Sequence, residues 1–168
     1  IMVATGRGAT MGVLFKNAEA IEIMRKVDTL VVDKTGTLTT GKPELVSVVP
    51  LGNLKEEGLI RVAASLEKGS EHPLAEAIVR GAEKRSVTLG DLADFASVTG
   101  KGVKGTLDGK KVALGNRALM VDLNIAFDKA AEKAETLRSK GQTVMFVSMG
   151  NELLGLLGVA DPKHSGTQ

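Results

Sequence analysis

Cysteine is absent from the 168 residues, tryptophan and tyrosine are absent too, and phenylalanine occurs four times. Without cysteine there is neither a disulfide framework nor a thiolate metal site, which fits a reducing compartment. Aromatics make up 2% of the chain, too few to stack single-stranded nucleic acid, so no nucleic-acid partner is expected. No apolar run reaches the ~18 residues a membrane helix needs, and no secretory leader is recognisable. Lys and Arg number 22 against 20 Asp and Glu, a formal net charge of +2 without any basic block. The two histidines, His72 and His164, stand far apart, a poor metal-ligand set in the absence of thiolates. The length suits one domain, or a small domain with appendages, able to bury a core without staples. An Ile at position 1 reads as the start of an excised piece.

The richest feature is Asp33-Lys34-Thr35-Gly36-Thr37-Leu38-Thr39, placed directly after the apolar run Leu30-Val31-Val32. The pattern predicts a buried strand over residues 29–33 ending in a polar turn. Ligands of α/β sheets bind at that end of a strand. A carboxylate there can attack a phosphoryl group and become an aspartyl-phosphate. Lys34, Thr35 and Thr37 add charge and hydroxyls of the kind a phosphate and its magnesium ion need. An Asp-Lys pair alone is most often just a polar turn; seven specified positions after a strand are much more specific.

This heptapeptide resembles the phosphorylation signature of the P-type ATPases, cation pumps that pass through a phosphorylated aspartate. The resemblance implies that Asp33 is the phosphorylated nucleophile, with Lys34, Thr35 and Thr37 assisting. It also implies that Asp33 and Thr35 contribute to an Mg2+ site through the phosphate. A pump must cross a membrane, so the chain is expected to be a fragment from the cytoplasmic face of an integral membrane protein.

Beyond the signature, Gly41-Lys42-Pro43 punctuates the chain as a hinge. Before it, Ile21, Met24 and Val27 recur at helical spacing behind the Gly-rich stretch Thr5 to Gly8. After it, Leu45 to Val49 reads as a strand. Leu59, Val62, Ala63 and Leu66 mark a helix over 55–67, and Pro73 opens a second over 73–85. Short strands follow at 95–98, 103–107 and 111–114, the last two joined by an Asp108-Gly109 turn. A helix over 127–140 ends at Gly141, and a hairpin around Gly150-Asn151 joins strands 144–149 and 152–159. Hairpin-linked strands with helices grouped between them predict an antiparallel α+β sheet.

Ser70-Glu71-His72-Pro73, the Gly100-Lys101-Gly102 turn and Gly115-Asn116 appear in that order. Taken singly they are weak: a His-Pro is most often a helix cap, and a lone glycine-rich turn proves little. Together, downstream of the signature, they resemble the nucleotide-binding domain of heavy-metal-transporting P-type ATPases, most closely the copper(I) branch. The resemblance implies that Glu71, His72, Gly100, Gly102 and Asn116 hold ATP. In that reading His72 lies against the adenine, Glu71 serves the adenine amino group or a bridging water, and Asn116 serves ribose or phosphate.

The implied architecture is an α+β nucleotide-binding domain, with an antiparallel sheet flanked by helices. It is inserted in a partial α/β haloacid-dehalogenase-like phosphorylation domain. Residues 1–42 form the membrane-proximal helix and the first segment of that phosphorylation domain. Residues 43–158 form the nucleotide-binding domain, and 159–168 begin the return. Expected partners are ATP or ADP and the remaining phosphorylation, actuator and membrane domains of the parent. Copper(I) is expected as the parent's cargo, not bound by this fragment, which binds nucleotide without turning it over. Three alternatives stay open: a zinc, cadmium, lead or silver pump; a stand-alone soluble nucleotide-binding or regulatory module; and a phosphatase of the haloacid-dehalogenase class. The last usually carries a second Asp two residues after the nucleophile as general acid, where this chain has Thr35.

Overall fold

A computed structural model of the chain describes residues 2–33 and 39–162. Two compact units emerge, residues 1–33 and 34–168.

The first unit holds two helices, α1 (Met2–Thr10) and α2 (Ala18–Met24). Asn17 caps α2, its side chain accepting from the Ala20 N–H at 2.9 Å, the bond an N-cap residue supplies to an unpaired helix donor. Neither helix has a buried residue. The Gly-rich stretch from Thr5 to Gly8, expected to open the chain ahead of a helix, is itself within α1. The strand expected over 29–33 is not formed: those residues have no regular structure, and Leu30 and Val31 are 77% and 92% exposed. A strand of that apolar composition is held by neighbours in its sheet and by cover on both faces. Among the described residues none pairs with it.

Among its described residues the second unit is built on six strands: β1 (Glu44–Pro50), β2 (Leu92–Val98), β3 (Gly102–Leu107), β4 (Lys110–Gly115), β5 (Thr143–Met149) and β6 (Glu152–Ala160). Their order in one antiparallel sheet is β1-β6-β5-β4-β3-β2. Four helices flank it: α3 (Glu56–Glu67), α4 (Pro73–Glu83), α5 (Arg117–Asp122) and α6 (Asp128–Ser139). The expected antiparallel α+β sheet is thus what forms.

Period-two alternation sends the strand side chains into two cores. Val112, Leu114, Met145, Val147, Leu157 and Val159 pack with α3 and α4 on one face. Ala113, Val144, Phe146 and Leu156 pack with α5 and α6 on the other. Covered on both faces, the central strands read as unbroken apolar runs rather than alternating ones. The β3–β4 hairpin turns at Asp108 and Gly109, both at positive φ (50° and 76°), the backbone a two-residue type I′ turn requires. On the edge, β2 begins three residues earlier than its apolar pattern suggests. A bulge between Ala93 and Ala96, with Asp94 at φ 54°, carries the strand through a sequence that looks like a turn.

The two connections that lead into and out of the sheet are tied together by Asp161. Its carboxylate accepts from the Thr39 hydroxyl at 2.5 Å, the Thr40 hydroxyl at 3.0 Å and the Gly41 N–H at 3.1 Å. The Thr40 N–H donates to the Pro162 carbonyl at 2.9 Å. The Thr39 hydroxyl above all, then the other donors, hold the Asp161 carboxyl below its ordinary range. Whatever this clamp contributes to stability is therefore present above the ordinary carboxylate pKa and is lost as pH falls through the lowered one. Gly41, in the expected hinge, sits at φ 70°. Arg80 of α4 donates to the Pro43 carbonyl at 2.9 Å, fixing β1's entrance against that helix.

Candidate functional site

The start of α4, the β2–β3 turn and the β4–α5 junction converge on one cavity of about 350 Å³. Among its lining residues are Glu67, Ser70, His72, Gly100, Lys101, Gly102 and Asn116.

His72 is the N-cap of α4. Its Nδ1 accepts from the Leu74 N–H at 3.2 Å, a bond in which the ring's proton sits on Nε2, and the residue is exposed. The capping reading and the ligand reading of His72 are therefore compatible: one nitrogen caps the helix while the ring borders the cavity. Its own N–H reaches the Ser70 hydroxyl at 3.4 Å.

Glu67, the last residue of α3, is 6% exposed, and its Oε2 has no hydrogen-bond partner. A buried carboxylate without its full set of donors is costly and uncommon. Burial raises its pKa above the ordinary value, and the hydrogen bond from the Ser70 side chain acts in the opposite sense. Its helical spacing shows why it is buried. Ile60, Ala63 and Ala64 precede it by seven, four and three residues, so Glu67 occupies a place in the apolar stripe. An acidic residue in an apolar stripe is a sign legible in the sequence, but the exposed Glu71 is the more conspicuous acid there. Glu71 is exposed and does not line the cavity. The helix α4 begins only at Pro73, so Glu71 belongs to the turn outside it.

The glycines divide by role. Gly100 sits at φ 70° with nothing near the place its Cβ would take, so its backbone is open to an approaching group. Gly102, at φ 146°, faces Gly115 across the β3–β4 pair, and a Cβ there would come within 2.2 Å of the Leu114 carbonyl oxygen. Its missing side chain serves strand pairing.

Asn116 is largely occupied by the fold. Its Oδ1 caps α5 by accepting from the Leu119 N–H at 3.2 Å, and its Nδ2 donates to the Gly100 carbonyl at 2.8 Å. Its backbone N–H donates to the Lys101 carbonyl at 2.8 Å. It acts as a clamp that sets the 100–102 turn against α5, and α5 itself escaped the sequence reading because six residues are too few to show a period.

Asp33 is exposed and belongs to the first unit; Lys34, Thr35 and Thr37 lie outside the described residues. Among the described residues no group of three His, Asp or Glu side chains could hold a metal ion. No helix among them is long and apolar enough to cross a membrane.

Residues 27–167 match the haloacid dehalogenase-like hydrolase family. A copper-transporting P-type ATPase of Rhizobium leguminosarum bv. viciae is 56% identical over 161 residues, which are 96% of this chain and 19% of that protein. A silver exporting P-type ATPase of Salmonella typhimurium is 44% identical over 167 residues, 99% of this chain and 20% of that protein. The chain thus spans about a fifth of the curated relatives it matches. Among solved structures, a zinc-transporting PIB-type ATPase in its E2.Pi state aligns with 80% of this chain and 22% of its own, at a TM-score of 0.73 and 31% identity. With the antiparallel sheet, its flanking helices and the Asp33 signature, these matches place the chain in the haloacid dehalogenase-like hydrolase family, in the branch of the heavy-metal P-type ATPases.

Proposed function

We propose that this chain is the ATP-binding arm of a copper(I)-transporting P-type ATPase, and that the cavity between α4 and the β2–β3 turn receives the nucleotide. The observation that carries the reading is the orphan Oε2 of buried Glu67, on a cavity that His72 borders. An unpaired acceptor at an apolar wall suits the exocyclic amino group of adenine. The ring of His72 supplies a stacking face. The open side of Gly100 lets the backbone approach the sugar or phosphates. Asn116 holds that turn in place, with one amide hydrogen left over for the ligand. Glu71, exposed beside His72, would act only through solvent.

In the intact pump, ATP held here would be delivered to Asp33, whose carboxylate attacks the γ-phosphoryl group. The Thr39–Asp161 clamp lies where the connections of residues 43–158 meet. Mg2+ would neutralise phosphate charge during the transfer, with Asp33 and Thr35 among its ligands. By the same reading hydrolysis is coupled to export at the cytoplasmic face of a membrane, and the names of the copper-transporting and silver exporting relatives support the export part. The three relatives above carry copper, silver and zinc in their names. Copper is favoured by the most similar of them and by the Ser70-Glu71-His72-Pro73 and Gly115-Asn116 pairings.

No Walker-type lysine loop grips the phosphates, so affinity should be modest, with Kd on the order of 0.1–1 mM. Replacing His72 by Ala should weaken ATP by about 1–2 kcal/mol, the scale of one base stacked on an aromatic side chain. Calorimetric titration of both proteins checks this. An unchanged affinity in His72→Ala, with the melting temperature lowered, would reduce His72 to a helix cap and remove the reading.

A further inference from the structure

Among the described residues lining the cavity, Lys101 alone carries a permanent positive charge, and it is held by a carboxylate. It sits between Gly100 and Gly102, its backbone fixed at both ends: its N–H donates to the Val98 carbonyl at 2.9 Å and its carbonyl accepts from Asn116 at 2.8 Å. Its ammonium lies 2.5 Å from Oδ2 of Asp122, the last residue of α5. Both side chains remain in contact with water, at 38% and 46% exposure.

Each partner is placed to make this pair exchangeable. An exposed ion pair contributes little, because water screens it and two side chains must be ordered to form it. Asp122 stands at the C-terminal end of its helix, where unpaired carbonyls already concentrate negative charge. Lys101 is a point charge on a flexible four-carbon stem, anchored on the turn whose open glycine lines the cavity. A triphosphate in the cavity carries several negative charges against the single one of Asp122.

We propose that Lys101 is the residue by which this site recognises the phosphate chain of its nucleotide, and that Asp122 competes with the phosphates for it. Resting on the nucleotide reading of the cavity, this predicts a preference for more highly phosphorylated nucleotides, carried by one movable side chain. Bound ATP draws the ammonium away from Asp122, whereas adenosine leaves the pair intact. Asp122 therefore holds the affinity for ATP below what the site can reach.

The test is a calorimetric ladder of adenosine, AMP, ADP and ATP against the 168-residue chain at low salt. The same ladder is run on Asp122→Asn, Lys101→Met, Lys101→Arg and the double variant Asp122→Asn/Lys101→Met. Asp122→Asn should tighten ATP by up to about fivefold, the range set by losing an exposed ion pair, and leave adenosine unchanged. Lys101→Met should weaken ATP by a similar factor and flatten the ladder, again without touching adenosine. Lys101→Arg should keep the ladder, and the double variant should behave as Lys101→Met. An ATP affinity unaffected by Asp122→Asn, or adenosine shifted as much as ATP in either single variant, overturns the proposal while the nucleotide reading stands. If the unaltered chain binds neither adenosine nor ATP, the nucleotide reading itself fails and the proposal with it.

Discussion

Replacing Glu67 by Gln is expected to make the fold more stable at neutral pH and its grip on ATP weaker. The carboxyl is buried with one oxygen unpaired, and burial raises its pKa. A carboxyl with a raised folded-state pKa holds its proton more tightly in the native state than in the unfolded chain. Its least costly range therefore lies below the ordinary pKa, and stability is lost as pH rises through the raised value. Gln carries no charge to desolvate, so the variant should gain stability above that window and lose the pH dependence within it. Binding should move the other way. A hydrogen bond to a charged acceptor is worth about 1.5–3 kcal/mol, so ATP should bind tenfold or more weakly in Glu67→Leu, which has no acceptor at all. Gln should fall between, since its carbonyl can still accept. Thermal melts from pH 4 to 8 alongside ATP calorimetry check both halves. A Glu67→Leu protein that binds ATP normally would show that the buried carboxylate belongs to the fold alone.

Asp33 should take up no phosphate in the 168-residue chain, yet be the phosphorylated residue in the full-length pump. Phosphoryl transfer depends on positioning and on charge stabilisation around a held nucleophile. Here Asp33 follows Leu30 and Val31 on exposed, irregular backbone, and among the described residues no strand pairs with that segment to hold an attack geometry. Incubation with radiolabelled ATP and magnesium, followed by an acid quench, should leave the chain unlabelled. The full-length pump with copper(I) should label, and its Asp33→Asn variant should lose all of it. Stoichiometric labelling of the 168-residue chain would show that residues 29–33 need no further support. Labelling of the full-length Asp33→Asn protein would remove Asp33 as the nucleophile.

Most of the sheet was legible in the sequence because its signals are local. The Asp108-Gly109 and Gly150-Asn151 turns announce two hairpins, and the spacing of Leu59, Val62, Ala63 and Leu66 announces α3. What escaped was set by tertiary context. The bulge at Asp94 lets β2 start in a stretch that looks like a turn. The residues of α5 carry too short a pattern to be read. The strand expected over 29–33 has the right composition, but composition does not supply a ladder partner. At the site, motif residues are easy to see and geometric ones are not. His72, Gly100 and Asn116 stand out by type and do border one cavity. Glu67 does not stand out, because an acidic residue near a helix end is ordinarily a solvated one. Only the register of α3 shows that it points inward, while the more conspicuous Glu71 points to water. Roles shift as well: Gly102 and Asn116 are held first by strand pairing and by capping, which is why their types alone did not reveal how much of them the fold consumes.

The central claim, that the cavity bounded by α4 and the β2–β3 turn is a nucleotide site, is tested most directly by mapping backbone amide shifts during an ATP titration of the 168-residue chain. Shifts concentrated at residues 66–74 and 97–117, saturating in the low-millimolar range or below, are the predicted result. No change in those segments at several millimolar ATP, or shifts confined to another face of the sheet, would contradict it.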